Sequence, residues 1–321
     1  MAMKRFAAVM LALLLSVPAI SGCGQTDGPN NGKINVVCTI FPQYDWVRQI
    51  LGDKIDTMDL TLLLDKKIDL HNYQPSVDDV VKISTCDLFI YVGGESDAWV
   101  DDVLKQAANK NMAAINLLET LGEKAKEEEI VAGMEDDGDE DEMSYDEHVW
   151  LSLKNAEIFC AAIADALSFL DHGNSEQYKN NMAAYSEKLA ALDMQYRAAA
   201  EAAPVKTLLF GDRFPFRYLV DDYGLDYRAV FAGCSAETEA SFETVIFLAG
   251  EVDGLNLNSV MVTESSDKKI AQTIIENTKN KNQRILVLDA MQSVTAEDIK
   301  NGTTYFSVME NNLKTLKEAL K

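Results

Sequence analysis

The sequence of 321 residues is poor in histidine, proline and positive charge. It has 3 His, 6 Pro and 29 Lys or Arg against 52 Asp or Glu, which gives a formal net charge of −23. So acidic a chain argues against nucleic acid and anionic membrane surfaces as partners, and it favours cations. A site built on imidazole has only His71, His148 and His172 to draw on.

The cysteines and the short motifs exclude several kinds of site. No two cysteines form a Cys-x-x-Cys pair, so the spacing of zinc ribbons is absent. Neither a His-Glu-x-x-His helix nor a Gly-x-Ser-x-Gly elbow occurs, so the common signatures of zinc proteases and α/β hydrolases are missing. Three cysteines lie in apolar runs typical of a core, and disulfide pairing stays open. These three are Cys38, Cys86 and Cys160, and Cys234 is the fourth beyond the amino-terminal region.

The amino terminus has the pattern of an exported lipoprotein. Two basic residues precede an uncharged stretch over residues 6–19, which is of signal-peptide length and shorter than the roughly 20 apolar residues of a membrane span. The letters "ISGC" resemble the lipobox of bacterial lipoproteins, whose cleavage leaves Cys23 as a lipid-modified first residue. We therefore predict a signal peptide over residues 1–22, a flexible tether over residues 23–33, and a protein lipid-anchored at the outer face of the cell membrane or periplasmic.

Short apolar runs rich in β-branched residues alternate with helical patterns along the chain. This alternation predicts βαβ units, with parallel sheets that carry helices on their faces. The fold class is therefore α/β, with two lobes that each hold a four-stranded, mostly parallel sheet flanked by helices. The eight predicted strands are 34–40, 58–64, 86–92 and 112–117, then 206–211, 227–232, 259–264 and 284–289.

One long backbone helix is predicted to join the lobes. Apolar residues recur there at alternating steps of four and three, which places them on one face of a helix. About 28 residues at 1.5 Å each give roughly 40 Å, enough to lie along both lobes. The stripe consists of Tyr178, Met182, Tyr185, Leu189, Leu192 and Tyr196. The predicted boundaries are 34–173 for the first lobe, 174–203 for the helix and 204–321 for the second lobe.

Candidate ligands lie where the predicted strands end, which is where open α/β sheets bind their ligands. His71 lies in the loop after the strand at 58–64, and His148 follows an acidic run. Two imidazoles with carboxylates form a transition-metal ligand set. The carboxylates at strand ends of the second lobe are Asp212, Glu264 and Asp289.

Six stretches carry a resemblance to a known family. They are "INVVCTIFPQYDWVRQILGDKI", "DLHNYQPSVDDV", "CDLFIYVGGESDAWV", "DEHVWLSLKNA", "VTESSDKKIAQTIIENT" and "TTYFSVMENNLKTLKEAL". Together they resemble the zinc- and manganese-binding solute receptors of bacterial ABC importers, in the right order over nearly the whole chain after the signal peptide. The resemblance implies two α/β lobes, one metal ion between them, and delivery of that ion to a membrane permease.

The resemblance assigns the site residue by residue. The family's first metal histidine, in a Pro-His-x-Tyr type motif, matches His71, with Leu70 where proline is usual. The second, in a His-x-Trp-Leu motif, matches His148, and a carboxylate before the last helix matches Asp289. The third position, usually His or Glu, falls on Arg213, whose guanidinium offers donors only and cannot bind a metal.

Two arrangements accommodate Arg213. Either Asp212 reaches the metal while Arg213 pairs with Glu264 or Asp289, or three protein ligands are completed by water. We prefer the first arrangement. The predicted metal ligands are therefore His71, His148, Asp212 and Asp289.

We therefore predict a monomeric receptor, not an enzyme, that captures zinc and passes it to an ABC importer permease. Imidazole ligands and the affinity order favour zinc, whereas the carboxylates favour manganese, which is the alternative. A zinc-dependent hydrolase is less favoured, although a site of two histidines and a carboxylate with an open position resembles catalytic zinc.

The acidic loop over residues 135–147 contains nine Asp or Glu and ends at His148. Zinc-binding members of the resembled family carry a His- or acid-rich loop at this place. Repulsion between like charges predicts an extended segment whose carboxylates bind divalent cations weakly. We interpret it as a cation collector, and a solvated linker is the alternative.

Deletion of residues 135–144 should slow metal uptake when metal is scarce, because the loop raises the local cation concentration near the entrance. The affinity of the tight site should stay unchanged. Uptake assays and a binding titration measure the two effects separately, and loss of tight binding would contradict the interpretation.

Overall fold

The computed structural model describes residues 32–135, 144–235 and 239–321. Residues 33–321 form one compact unit, which contains both sheets. The predicted signal peptide, Cys23, most of the predicted tether and residues 136–143 of the acidic loop lie outside the described residues. Within the described ranges, no helix combines the length and apolar character needed to cross a bilayer.

All eight predicted strands are present. They are β1 (Ile34–Cys38), β2 (Met58–Leu62), β3 (Leu88–Tyr91), β4 (Ala113–Asn116), β5 (Thr207–Phe214), β6 (Asp226–Ala232), β7 (Ser259–Val262) and β8 (Arg284–Val287). The first sheet has the order β2-β1-β3-β4 and the second β6-β5-β7-β8, with parallel pairing throughout. The two lobes therefore repeat one topology, and the α/β prediction is confirmed.

Burial along the strands explains why the apolar runs are continuous. All residues of β3 and β7 are buried, since both strands lie inside their sheets and are covered by helices on both faces. Strand β8 is an edge strand, and its four residues are half-buried or exposed. The runs that looked most apolar in sequence are thus central strands.

Helices connect the strands and cover the sheets. The α-helices of the described ranges are α1 (Phe41–Leu51), α2 (Val77–Thr85), α3 (Val100–Gln106), α4 (Leu117–Leu121), α5 (Leu153–Leu170), α6 (Ser175–Ala202), α7 (Arg217–Tyr223), α8 (Phe242–Leu255), α9 (Lys269–Asn277), α10 (Ala296–Lys300) and α11 (Tyr305–Ala319).

Helix α6 is the predicted backbone helix. It has 28 residues and packs against α1 and α5 of the first lobe and against α7 and α11 of the second. The predicted stripe faces inward, with Met182 half-buried and the other five residues buried. Because one stiff helix contacts both lobes, it fixes their spacing.

An apolar core also continues from one lobe to the other. The Trp46 ring lies 5.1 Å from the Tyr305 ring and 5.6 Å from the Phe159 ring, measured between centroids. Asp45 is fully buried in this region, and its Oδ2 accepts the backbone N–H of Tyr305 at 2.9 Å. The lobes are therefore joined by shared packing as well as by α6.

The four cysteines of the described ranges are free. Cys38, Cys86 and Cys160 are buried in the apolar part of the first lobe, as their sequence surroundings predicted. Cys234 is half-buried and lies in the second lobe.

Candidate metal centre

His71 lies in a short 3-10 turn, residues 70–72, in the connection that follows β2. Asp69 begins this turn, and its Oδ1 accepts the backbone N–H of His71 at 3.1 Å. The His71 Nδ1 lies 2.8 Å from Ser96 Oγ and 3.5 Å from Glu147 Oε2. A ring proton on Nδ1 suits both oxygens, and this tautomer leaves the Nε2 lone pair available for a metal.

His148 is fully buried and directly precedes the 3-10 turn at residues 149–151. Asp146 Oδ1 accepts the backbone N–H of His148 at 2.8 Å and lies 3.1 Å from its Nδ1. The carboxylate therefore orients the ring and favours the proton on Nδ1. Ser152 caps the helix that follows, because its Oγ accepts the backbone N–H of Asn155 at 3.1 Å.

The two Nε2 atoms face each other at 3.2 Å. In a tetrahedral zinc site with Zn–N bonds of about 2.0–2.1 Å, two ligand nitrogens lie roughly 3.3–3.4 Å apart. The histidine pair therefore already has close to the separation that one zinc ion requires, and the residues fit a metal of this kind.

The two imidazoles differ in their proton affinity. Burial, helped by the neighbouring His148 and Arg213, lowers the pKa of His71 to about 3. Burial acts to lower the pKa of His148 as well, but the carboxylates of Asp146 and Glu147 outweigh it and raise that pKa above its usual value. Near neutral pH at most one of the two imidazoles therefore carries a positive charge, and a bound metal displaces the additional proton.

The last two acids of the acidic loop belong to this centre. Asp146 and Glu147 are 1 % and 2 % exposed, so these two acids are buried and are not part of an extended, exposed segment as the sequence predicted for the acidic loop. Glu147 Oε1 accepts the backbone N–H of Ser96 at 2.8 Å. Gly94 has φ +81°, and a Cβ there would collide with the Glu147 carboxylate. Glycine at this turn therefore lets the carboxylate approach His71.

A third ligand-type side chain reaches the histidines. Cys234 follows β6, and one ligand atom each from His71, His148 and Cys234 lie within 4.8 Å of one another. Among the described residues, this is the one group of three or more His, Cys, Asp or Glu side chains with such spacing. Cys234 was not predicted as a ligand, and its only signal in the sequence is its place just after a predicted strand.

Gln292 was not predicted either. Its side-chain Nε2 lies 3.0 Å from His148 Nε2, so the amide of Gln292 contacts the histidine pair. The predicted ligand Asp289 lies three residues earlier in the same loop after β8. Its Oδ1 accepts the backbone N–H of Met291 at 2.7 Å, and burial together with the Glu264 carboxylate raises its pKa to about 7.

Asp212, the other predicted carboxylate ligand, is held by hydrogen bonds of its own. Its Oδ2 accepts the backbone N–H of Thr263 at 3.1 Å and the Thr263 hydroxyl at 2.7 Å, and its Oδ1 accepts the backbone N–H of Arg213 at 2.8 Å. Of the four predicted ligands, the structure brings His71 and His148 together in the group with Cys234, and Asp212 and Asp289 are not members of it.

Arg213 does not make the contacts expected from sequence. Its Nη2 lies 2.5 Å from Asp69 Oδ2, so it pairs with the loop of His71 rather than with Glu264 or Asp289. Burial acts to raise the pKa of Asp69, but Arg213 and His71 outweigh it and lower that pKa. Glu264 instead accepts backbone N–H groups of the loop after β8, from Ala290 at 2.8 Å and Gln292 at 2.9 Å.

A cleft of about 350 Å³ lies beside the centre, and Asn72, Asp212, Arg213, Ser235 and Ser265 are among its lining residues. Neither this cleft nor a larger one of about 490 Å³ is lined by His71 or His148, but the smaller one is lined by Asn72 and Ser235, the chain neighbours of His71 and Cys234. His172 is exposed and is not a member of the group formed by His71, His148 and Cys234. Because Asn72 and Ser235 line it, the smaller cleft adjoins the metal centre.

Asp146→Asn should weaken zinc binding by about 10–100-fold, the usual cost of losing a carboxylate that orients a metal-binding histidine. Binding should remain one-to-one, because both imidazoles are retained. A chelator competition titration measures the affinity. Asp45→Asn is the matched control, since it alters a buried carboxylate that holds Tyr305 and should reduce thermal stability without reducing affinity. Equal losses of affinity in the two variants would contradict the orienting role of Asp146.

The comparisons with known proteins agree with this fold. The family model described as "Zinc-uptake complex component A periplasmic" matches residues 36–319. The zinc-binding lipoprotein AdcA of Streptococcus pneumoniae is 32% identical over 323 residues, which cover 98% of this chain and 61% of that protein. The high-affinity zinc uptake system protein ZnuA of Bacillus subtilis is 28% identical over 306 residues, 94% of this chain and 93% of that protein.

This chain spans 56–61% of the length of the streptococcal AdcA proteins that it matches. The crystal structure of the Zn(II)-bound ZnuA-like domain of Streptococcus pneumoniae AdcA has a TM-score of 0.70 at 31% identity, covering 90% of this chain and 99% of that domain. The metal-dependent lipoprotein YcdH of Bacillus subtilis has a TM-score of 0.72 at 27% identity, covering 90% and 99%. The chain belongs to the ZnuA family, the periplasmic component A of zinc-uptake complexes.

Proposed function

We propose that this protein is an extracytoplasmic zinc receptor, which binds one Zn²⁺ between its lobes and delivers it to the permease of an ABC importer. The observation that carries the proposal is the histidine pair, whose Nε2 atoms face each other at 3.2 Å. The names of its relatives support zinc, because AdcA is called zinc-binding and ZnuA a zinc uptake protein. A member of this family is a transport component and not an enzyme.

The donor set favours zinc over manganese. His71 and His148 supply two neutral imidazoles, and the affinity order of nitrogen sites places zinc well above manganese. The buried carboxylates of Asp146 and Glu147 lie behind the imidazoles and add negative charge without replacing nitrogen as the ligand. Manganese remains the alternative metal, and a direct comparison of the two ions decides between them.

The assignment of Asp212 and Asp289 as further ligands stays a prediction. Asp212 would have to give up hydrogen bonds to Thr263 and to the Arg213 backbone in order to reach the ion. Asp289 would have to be ionised, although its pKa is raised to about 7, and a nearby dication would favour that ionisation.

The partner and the location complete the proposal. The chain is proposed to act as a monomer and to dock on a membrane permease. Cys23 is proposed to carry the lipid that anchors it at the outer face of the cell membrane, with a periplasmic location as the alternative. The signal-peptide pattern supports export. The lipoprotein names of AdcA and YcdH agree with an anchored protein.

His71→Ala should lower zinc affinity by more than about 100-fold, because a lost metal ligand costs more than the 10–100-fold that orienting residues cost. Residues 24–321 are titrated against a chromophoric chelator, with zinc and manganese in turn. His172→Ala is the matched control, since this exposed histidine lies outside the centre and its loss should leave affinity unchanged. Weak binding at many sites that is unaffected by His71→Ala would overturn the receptor function.

Alanine variants of Asp212, Asp289 and Glu264 test the predicted carboxylate ligands. If Asp212 and Asp289 bind the metal, each alanine variant should lose far more zinc affinity than Glu264→Ala, whose carboxylate accepts backbone N–H groups. The same titration gives the affinities, and thermal melting separates loss of stability from loss of a ligand. Equal effects at Asp212 and Glu264 would remove Asp212 from the ligand set.

A further inference from the structure

Two histidines leave two positions of a tetrahedral zinc site to be filled. The resemblance places the third ligand at the end of β5, where this chain has Arg213. That guanidinium cannot bind a metal, and its contact with Asp69 at 2.5 Å gives it another function. Asp212 beside it is occupied by hydrogen bonds to Thr263 and to the Arg213 backbone. The end of β5 is therefore poorly suited to supply the missing ligand.

The neighbouring strand end lies in the same part of the sheet. Strand β6 pairs with β5 in parallel, with Arg213 opposite Phe231 and Phe214 opposite Ala232. Cys234 follows Ala232 by two residues, so its thiol emerges beside the strand end that holds Arg213. Together with the histidines it forms the group whose ligand atoms lie within 4.8 Å of one another.

The backbone around Cys234 is held against the histidine pair. If residue 233 had a side chain, its Cβ would lie only 2.9 Å from the carbonyl oxygen of Phe214 and 3.1 Å from ring atoms of His148. The backbone at Gly233 therefore packs directly against the imidazole, in a space that has no room for a side chain. Glu128 Oε1 accepts the backbone N–H of Cys234 at 2.9 Å. These contacts fix the position from which the thiol projects.

The surroundings of Cys234 differ from those of a core cysteine. The other three described cysteines are buried in the apolar core, whereas Cys234 is half-buried and has two imidazoles within reach. Burial, together with the carboxylates of Glu128, Asp146 and Glu147, raises the pKa of the Cys234 thiol, so the thiolate needs a cation beside it to form. Free cysteines usually serve as small apolar side chains. A thiol among three carboxylates and two imidazoles has the neighbours of a cation ligand instead.

We infer that Cys234 binds the captured ion through its thiolate, which makes the centre a two-histidine, one-cysteine site. The inference rests on the proposed function, because it concerns the same ion. With Zn–S near 2.3 Å and Zn–N near 2.05 Å, a tetrahedral site places sulfur about 3.6 Å from each nitrogen. The separations of at most 4.8 Å therefore need to close by no more than about 1.2 Å.

A thiolate ligand determines which ions the receptor selects. Sulfur is a soft donor that favours zinc and cadmium, whereas manganese, magnesium and calcium prefer oxygen. Cys234 thus supplies discrimination against manganese that two imidazoles and water would not supply alone. The preference for zinc over manganese should be larger in the natural chain than in a variant that lacks this sulfur.

Cobalt(II) reports directly on sulfur ligation, because a cobalt–thiolate bond produces a charge-transfer band in the near ultraviolet. The chain without its signal peptide is freed of metal under reducing conditions and titrated with Co²⁺ alone. We expect one equivalent of Co²⁺ to produce the band, and Zn²⁺ to abolish it by displacement. Cys234→Ser should remove the band and weaken zinc binding by more than about 100-fold, above the range for orienting residues.

Cys86→Ala is the matched control, since it removes a thiol from the buried core of the first lobe. This variant should keep both the band and the affinity. Thermal melting of the metal-free proteins checks that Cys234→Ser is folded, and competition titrations with zinc and manganese should show a smaller zinc preference in it than in the natural chain.

Two results would overturn the inference while leaving the receptor function in place. One is tight, one-to-one binding of Co²⁺ and Zn²⁺ without the sulfur band, and the other is a band that persists in Cys234→Ser. Absence of tight binding in the natural chain would overturn the receptor function and the inference together. The two failures are therefore distinguishable in one set of titrations.

Discussion

The packing around Trp150 joins the lobes and positions the metal centre at the same time. The Trp150 indole N–H donates to the carbonyl oxygen of Ala290 at 2.9 Å, and the Trp150 carbonyl oxygen accepts the hydroxyl of Tyr305 at 2.7 Å. A buried polar group left without a partner costs about 1–3 kcal/mol, so these contacts hold the interface in one arrangement. His148 lies two residues before Trp150, and its ring is therefore placed by the core that both lobes share.

The buried negative charge beside the two histidines makes this position suitable for a cation. Buried carboxylates are costly unless a positive group or hydrogen bonds compensate them. Asp146 and Glu147 are buried beside two imidazoles that carry at most one positive charge near neutral pH, and a divalent cation supplies the compensation that the protein alone gives only in part. In the folded chain, the histidine nitrogens are close to the spacing that zinc requires.

Arg213 and Cys234 lie at neighbouring strand ends, and the inference for Cys234 concerns this arrangement. Arg213 bridges the second lobe to Asp69 in the loop of the first histidine, so the residue at the ligand position that the resemblance implies makes a contact between the lobes. The parallel pairing of β5 and β6 brings the next strand end to the same place. A ligand moved from one strand end to its neighbour would still face the two histidines, and its chemical type would change from nitrogen or oxygen to sulfur.

The sequence by itself determined the eight strands and the backbone helix, and its resemblance to a known family singled out the two histidines. Apolar periodicity is local, and the stripe that contains Tyr178 and Tyr196 can be read without knowledge of its partners. Tertiary structure alone decided that Asp146 and Glu147 are buried, that Arg213 pairs with Asp69, and that Cys234 and Gln292 reach the histidines. These contacts join residues far apart in the chain, and their partners depend on strand register and on the packing of the lobes, neither of which local residue patterns encode.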